Sequence, residues 1–287
     1  MQLDYKILFI DDEGFDDYMG SFKDNLENYL KQKGFVLNGI EIKNEIELDR
    51  QISMDINYDL IFVDNRFNDK ECGIEFIEKI RNAKIYSDIV LCTALSDIDL
   101  AKKINAETAY YGFYYIRKGT SLTQYAHELI NFRLNKELDI NVMRGIAMAE
   151  VAKFDTQILD ILLLEDKYKS KILEKVKIKA KEKYEDTEKT EEIWRMISNP
   201  DTSTLYFDSS SRKDILHANV LKKIDILEKL YLEIRDNYYL EILKNRNKLA
   251  HKINPDLSNE EIIKLRKDII KFREVFAKIN KHFKITS

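Results

Sequence analysis

The sequence is poor in the residues that break helices, and the scarcity is uneven along the chain. Its 287 residues include two prolines and eight glycines, and no glycine lies beyond position 145. Collagen-like chains and Pro/Gly-rich disordered chains are therefore excluded. Because glycine marks the tight turns between strands and helices, its distribution predicts a turn-rich first half and a second half of long helices.

Cysteine and long apolar runs are also scarce. The two cysteines, Cys72 and Cys92, cannot build a disulfide framework and lack the spacing of metal ligands. The aliphatic run 161–164 is far shorter than the roughly 20 residues of a membrane-spanning helix, and the sequence predicts no signal peptide. These absences predict a cytoplasmic protein with no membrane partner.

Charge divides the chain at the same place as glycine does. Residues 1–140 carry 17 Lys and Arg against 26 Asp and Glu, whereas residues 141–287 carry 30 against 25. The whole chain has a formal charge of −4, so no strong overall field marks a nucleic-acid or membrane binder. A length of 287 residues also favours two domains. We therefore predict an acidic domain over 1–138 and a basic domain over 139–287.

Short apolar runs in the acidic half predict the strands of a parallel sheet. A run from Phe35 to Lys43 alternates apolar and charged residues, as an outer strand does. Four further runs are apolar throughout, at 7–10, 60–63, 89–92 and 113–116. The amphipathic stretches predict helices near 15–33, 44–54, 73–84, 97–106 and 121–138. The alternation predicts an α/β doubly wound domain built on a five-stranded parallel sheet.

Polar side chains directly follow four of these predicted strands. In chain order they are Asp11 and Asp12, then Asp64, then Thr93, and finally Arg117 and Lys118. Ligands of open parallel sheets bind outside the carboxyl ends of the strands, where these residues are expected to meet. Three carboxylates together favour a hard divalent cation such as Mg²⁺, and a neighbouring lysine supplies a compact positive charge for a phosphoryl oxygen. A threonine hydroxyl can donate to another phosphoryl oxygen.

This set of residues resembles the site of response-regulator receiver domains, and the resemblance covers all five predicted strands. It implies a phosphoprotein of two-component signalling, in which Asp64 accepts a phosphoryl group from the phosphohistidine of a sensor histidine kinase. It also implies a set of supporting roles. Mg²⁺ would be bound by Asp11, Asp12, Asp64 and the backbone carbonyl of Arg66, the phosphoryl oxygens by Thr93 and Lys118, and Tyr115 would be the aromatic switch.

The sequence departs from the receiver pattern in two loops. Receivers usually have a proline shortly after the phosphoacceptor, but the segment 66–69 has none, and the loop to Gly73 is one residue longer than expected. Lys118 is followed by Gly119 where receivers normally have proline. The departures concern the geometry of the loops and the lifetime of the phosphorylated state. The alternative interpretation is a degenerate receiver that takes no phosphate.

The basic half is predicted to be helical nearly throughout. The expected helices are 140–165, 168–198, 212–250 and 258–283. Ser258 and Glu261 have the spacing of a capping box, which predicts the start of the last helix. From Lys244 to Lys284 the chain has 12 Lys and Arg against five Asp and Glu, so this end of the domain is strongly basic.

Arg246, Asn247 and His251 are the candidates for chemistry in this basic segment. RNA supplies its own nucleophile, the 2′-hydroxyl, and a histidine with a pKa near 6.5 can transfer the protons of the cleavage. Arginine can neutralise the charge that develops on the phosphorane. On a helix Asn247 and His251 share a face, while Arg246 lies about 100° away. A single copy therefore supplies few catalytic side chains. A homodimer related by a two-fold axis would have twice as many in one site.

The segment 246–251 resembles the R-x4-H signature of HEPN domains, and its polar residue after arginine resembles the ribonuclease members. The resemblance implies a symmetric homodimer through the helical domain, with an RNA-cleaving cleft at the interface that needs no metal or other cofactor. Glu150 or Asp155 of the first helix could face that cleft. RNA, and not DNA, would be the substrate.

Two classes of function remain open at this point. The first is a response regulator whose output is a metal-independent endoribonuclease that leaves 2′,3′-cyclic phosphates, used in stress response or phage defence. The second is a receiver with a non-catalytic dimerisation or protein-interaction module, in which His251 interacts only with the dipole of its helix. A transcription factor is disfavoured, because the long helices show no short helix–turn–helix.

Overall fold

The computed structural model of the chain describes residues 3–12, 22–54, 56–95, 112–117, 122–163, 225–251 and 257–284. Several predicted features lie outside the described residues, among them Lys118, the helices 97–106 and 168–198, and the start of the helix 15–33. The chain separates into two units, Met1–Asp139 and Ile140–Ser287.

The apolar runs of the first unit form strands, as the sequence predicts. Within the described ranges the strands are β1 (Asp4–Ile10), β2 (Val36–Ile42), β3 (Leu60–Asp64), β4 (Arg66–Phe67), β5 (Lys70–Glu71), β6 (Asp88–Thr93) and β7 (Phe113–Arg117). Five of them form one parallel sheet in the order β2-β1-β3-β6-β7, and β4 pairs with β5 in a separate antiparallel hairpin. β2 lies at an edge, so the prediction of an outer strand over 35–43 is confirmed. The hairpin was not expected.

Two hydrophobic clusters pack around the sheet, because successive side chains of a strand point to opposite faces. The helices that the structure describes in this unit are α1 (Phe22–Gln32), α2 (Glu45–Ile52), α3 (Gly73–Asn82) and α4 (Leu122–Glu137). Ile7 and Phe9 of β1 belong to a cluster that includes side chains of α1 and α4. Leu8 and Ile10 belong to a second cluster, which includes side chains of α2 and α3. Alternate residues of one strand thus contribute to different halves of the core.

The described part of the second unit is helical. Its segments are α5 (Ile140–Leu163), α6 (Asp225–Asn237), a π-helical segment (Tyr238–Leu243), α7 (Lys244–His251) and α8 (Asn259–Phe283). The capping box is confirmed: Glu261 N–H donates to Ser258 Oγ at 3.2 Å, and Ser258 N–H donates to Glu261 Oε2 at 2.7 Å. The predicted helix 212–250 is interrupted by the π-helical segment, which the apolar pattern did not indicate.

Aromatic side chains form the centre of this helical packing. Tyr238 of the π-helical segment packs against Phe272 of α8 with ring centroids 4.3 Å apart, and Phe154 of α5 packs on the same ring at 4.6 Å. Phe276 stacks on Phe272 at 4.8 Å. Because all four side chains are buried, the π-helical segment is anchored to α5 and α8, and α7 continues directly from that anchor.

None of the described helices is both long enough and apolar enough to cross a membrane. Both cysteines are buried, and neither forms a disulfide among the described residues.

Candidate functional site

The register of the parallel sheet brings Asp11 and Asp64 to neighbouring positions. Ile10 of β1 is paired with Val63 of β3, so the residues that follow in each strand, Asp11 and Asp64, lie side by side at its carboxyl edge. Each carboxylate residue is only 7% exposed. Burying a carboxylate is costly unless hydrogen bonds or opposite charge compensate, so this pair marks a site rather than a solvated surface.

The hairpin β4–β5 supplies backbone hydrogen bonds to two of the predicted site carboxylates. The N–H of Asn68 donates to Asp12 Oδ2 at 2.8 Å, and the N–H of Arg66 donates to Asp64 Oδ1 at 3.3 Å. Asn68 and Asp69 connect the two strands with φ of 49° and 61°. Positive φ at both central residues is typical of the two-residue type I′ turn, which Asn and Asp tolerate better than most residues. The long, proline-free loop after the predicted phosphoacceptor is therefore a hairpin.

Gly73 fixes the backbone behind this hairpin. A Cβ at position 73 would lie 2.6 Å from Asn65 Cα and 2.8 Å from the Asp64 carbonyl oxygen, so only glycine lets α3 begin this close to the site. The N–H groups of Cys72 and Gly73 both donate to the Asn65 carbonyl, at 3.0 and 3.2 Å. Asn65 N–H in turn donates to Cys92 O of β6 at 2.9 Å. The residue after Asp64 is thus held from both sides.

The other residues predicted for the site at the carboxyl edge of the sheet lie on or after β6 and β7. Thr93 ends β6 fully buried, and its Oγ1 accepts a hydrogen bond from Leu95 N–H at 3.0 Å. Tyr115 lies on β7 and is 41% exposed, and Arg117 ends the same strand opposite Thr93. Lys118 lies outside the described residues, so its role stays a prediction.

The chemistry of the donor set fits Mg²⁺, although the described geometry does not assemble a metal centre. Carboxylates of Asp11, Asp12 and Asp64 and the Arg66 carbonyl are all hard oxygen donors, which Mg²⁺ prefers. Within the described ranges, however, no group of three or more His, Cys, Asp or Glu side chains is arranged to hold a metal ion. The carboxylate of Asp12 accepts from the hairpin instead. The Mg²⁺ assignment therefore stays a prediction.

In the helical unit, α7 carries the R-x4-H residues, and Arg246 contacts its neighbour rather than the histidine. Arg246 Nη1 donates to Asn247 Oδ1 at 2.9 Å, and its Nε is buried with no hydrogen-bond partner among the described residues. Asn247 and His251 are exposed. Among the described residues no hydrogen bond joins Arg246 to His251. Within one chain, Arg246 is therefore hydrogen-bonded to Asn247 and not to His251.

Arg144 of α5 is a residue that the motif did not indicate. Its Nε donates to the backbone carbonyl of Leu249 at 2.8 Å, and its Nη1 donates to Asn141 Oδ1 at 3.3 Å. The last carbonyls of a helix have no partner within the helix, so Arg144 satisfies one of them two residues before His251. A cation at this end also interacts favourably with the helix dipole. Arg144 therefore ties the end of α7 to α5.

Glu150 and Asp155 both lie on α5 and are half-buried, and each has an interaction with another residue. One oxygen of Glu150, Oε2, is buried without a hydrogen-bond partner among the described residues. A role for either carboxylate in the R-x4-H site stays a prediction.

Comparisons with known proteins add little to this geometry. No family model matches the chain, and no curated protein matches its sequence. A solved structure of residues 181–211 of the yeast Spc42 trimeric coiled coil, fused to another structure, is 20% identical to this chain. The match covers 47% of this chain and 82% of that one with a TM-score of 0.36, which is too low to carry an argument about fold or function.

Replacing Arg144 tests its contact with the end of α7. We expect Arg144→Ala to lower the free energy of unfolding by about 1–2 kcal/mol, because it removes a charge-assisted hydrogen bond and leaves the Leu249 carbonyl without that donor. Amide hydrogen exchange should accelerate in α7 more than in α8. Arg235→Ala, which removes a half-buried arginine whose ion pair in the described part of the chain is with its neighbour Asp236, serves as the control. Unchanged exchange in α7 would contradict the anchoring role.

Proposed function

We propose that the first unit is a receiver domain with a doubly wound, flavodoxin-like topology that accepts a phosphoryl group on Asp64. The observation that carries the proposal is the pair of buried carboxylates, Asp11 and Asp64, at the carboxyl edge of adjacent parallel strands. The strand order β2-β1-β3-β6-β7 and the two core clusters support the topology.

The proposed reaction uses Asp64 as the nucleophile. A carboxylate oxygen of Asp64 attacks the phosphorus of a sensor kinase's phosphohistidine; the new O–P bond forms as the N–P bond breaks, and histidine leaves. Thr93 and Lys118 would contact the phosphoryl oxygens. Asp11, Asp12, Asp64 and the Arg66 carbonyl would hold Mg²⁺, which when bound neutralises charge that would otherwise repel the phosphoryl group.

The hairpin gives this proposal a specific feature. The N–H of Arg66 contacts Asp64 Oδ1, so one carboxylate oxygen is oriented by the backbone. The same turn engages Asp12 through Asn68 N–H. Phosphorylation of Asp64 changes the charge and size of a group that β4–β5 contacts directly. We infer that phosphorylation changes the conformation of the hairpin, together with that of Tyr115, the predicted aromatic switch.

For the second unit we propose a HEPN-like, metal-independent endoribonuclease, serving in stress response or phage defence. The support is the R-x4-H sequence at the end of α7 in a helical unit, with His251 exposed to a substrate. In the proposed reaction the RNA 2′-hydroxyl attacks the adjacent phosphorus and the 5′-oxygen leaves. His251 transfers the protons, and Arg246 and Asn247 stabilise the charged phosphorane. Because Arg246 is not joined to His251 in one chain, we propose that two copies form the site together as a homodimer.

A second candidate function has an observation in its favour. One guanidinium nitrogen of Arg246 donates a hydrogen bond to Asn247, and its Nε is buried. This arrangement is typical of an arginine with a packing role. A helical unit that only dimerises or binds another protein would need no more than this. A dimer by light scattering together with RNA that stays intact would favour this second function.

Phosphorylation provides the test of the first unit. With Mg²⁺ and a small-molecule phosphodonor, intact-mass spectrometry should show one phosphate adduct on the wild type and none on Asp64→Asn. Chelation by EDTA should abolish the adduct, because the clustered carboxylates would then repel the incoming group. The control is Asp69→Asn, which removes an exposed carboxylate of the same hairpin. This variant should still be phosphorylated on Asp64. An adduct that survives in Asp64→Asn contradicts the assignment.

RNA cleavage provides the test of the second unit. We expect cleavage of a labelled RNA to persist in EDTA and to leave a 2′,3′-cyclic phosphate and a 5′-hydroxyl. His251→Ala should lower the rate by about 10²–10⁴-fold through the lost proton transfer, and Arg246→Ala by a comparable factor through lost charge stabilisation. A 2′-deoxy substitution at the cleaved position should block the reaction.

The matched control is His282→Ala, because His282 is an exposed histidine of α8 outside the motif. If all three variants cut RNA at the wild-type rate, the R-x4-H site is not the source of the activity.

A further inference from the structure

The β4–β5 hairpin has a base that is anchored in the core of the first unit. Phe67 of β4 is buried, and its ring packs edge-on against Phe76 of α3 with the ring centroids 5.0 Å apart. The thiol of Cys72, just before α3, contacts the carbonyl oxygens of Phe67 and Lys70 at 3.9 and 3.8 Å. The two strands of the hairpin are therefore fixed at the end that faces α3.

The tip of the hairpin is held much less firmly. Both residues of its turn, Asn68 and Asp69, are exposed. Asp69 pairs with Arg66 at 2.7 Å, but both side chains are mostly exposed, and ion pairs of this kind contribute little to stability. In the described part of the chain, the turn contacts the candidate site through the N–H of Asn68, which donates to Asp12 Oδ2. Because an exposed hydrogen bond has a modest net free energy, the tip can leave Asp12 at small cost.

Two of the three carboxylates predicted to bind Mg²⁺ lie side by side, and the third is engaged by the hairpin. The register of β1 and β3 brings Asp11 and Asp64 together. The next residue of the chain, Asp12, accepts its hydrogen bond from the hairpin turn. Within the described ranges the three side chains do not form a group arranged to hold a metal ion. The hairpin tip and a divalent cation are therefore alternative partners for the carboxylate of Asp12.

We propose that the β4–β5 hairpin is a flap that competes with a divalent cation for Asp12. When the flap is closed, the N–H of Asn68 occupies Asp12; when it is open, Asp12 joins Asp11 and Asp64 as an oxygen ligand of the cation. Because the cation binds only the open conformation with all three carboxylates, any change that favours the closed flap lowers the affinity for the cation. The inference rests on the Mg²⁺ assignment of the proposed function and adds a conformational control to it.

Position 69 allows a test in which the charge is constant. Asp69 has a φ of 61°, which glycine adopts freely, asparagine tolerates and a β-branched residue resists. The variants Asp69→Gly, Asp69→Asn and Asp69→Val remove the same carboxylate and the same ion pair, and differ in how well the closed turn forms. Mn²⁺ prefers the same oxygen ligands as Mg²⁺, and the loss of its EPR signal reports binding to the full-length protein. Affinity should rise from Asp69→Gly through Asp69→Asn to Asp69→Val, by about 5- to 30-fold overall, because left-handed strain opens the flap.

A second measurement follows the hydrogen bond itself. Amide hydrogen exchange of the wild type, measured by NMR in EDTA and in saturating Mg²⁺, should show that the Asn68 amide loses protection when the cation binds. The reference is the amide of Asn65, which donates to Cys92 O of β6 at 2.9 Å and lies outside the turn. Its protection should not change. Circular dichroism checks that the three variants of position 69 are folded.

Equal Mn²⁺ affinities of the three variants, or an Asn68 amide that is as protected in Mg²⁺ as in EDTA, overturn the inference, because Asp12 would then bind the N–H and the cation together. The outcomes also separate the flap from the function on which it rests. If the affinities follow the expected order but Asp64 never takes up phosphate, the flap stands and the phosphoacceptor assignment fails. If the wild type binds neither Mn²⁺ nor Mg²⁺, the Mg²⁺ assignment and the flap are both wrong.

Discussion

Burial of two carboxylates at the edge of a parallel sheet is the constraint on which the first unit depends. The pairing of β1 with β3 leaves Asp11 and Asp64 side by side in a setting where an uncompensated charge is costly. A backbone N–H of the hairpin donates a hydrogen bond to Asp64. Helix α3 begins so close behind this residue that position 73 must be glycine. A site that concentrates negative charge in this way suits chemistry in which a cation and a phosphoryl group arrive together.

The helical unit meets a different constraint, because its chemical residues lie at the end of a continuous run of helix from Asp225 to His251. The placement of α7 therefore depends on what holds this run at its π-helical segment and at its end. The aromatic contacts of Tyr238 hold the π-helical segment from which α7 continues, and Arg144 holds the other end through the Leu249 carbonyl. His251 is therefore carried by a helix that is held at both ends of α7.

The sequence predicted the sheet well, because parallel strands buried on both faces must be apolar throughout, as 60–63 and 89–92 are. It did not predict the hairpin, whose two-residue strands are too short for any periodicity and whose turn is Asn-Asp rather than Asn-Gly. The Arg144 contact joins residues 105 positions apart, which a local pattern cannot show. The π-helical segment was missed because its residue types are those of an ordinary helix.

We propose that phosphorylation of Asp64 controls RNA cleavage at His251. The most direct measurement is the rate of cleavage of one labelled RNA by the full-length protein, with and without a phosphodonor and Mg²⁺, in the wild type and in Asp64→Asn. The account predicts that the phosphodonor changes the wild-type rate and leaves the rate of Asp64→Asn unaltered. Equal rates in the phosphorylated and unphosphorylated wild type would contradict it.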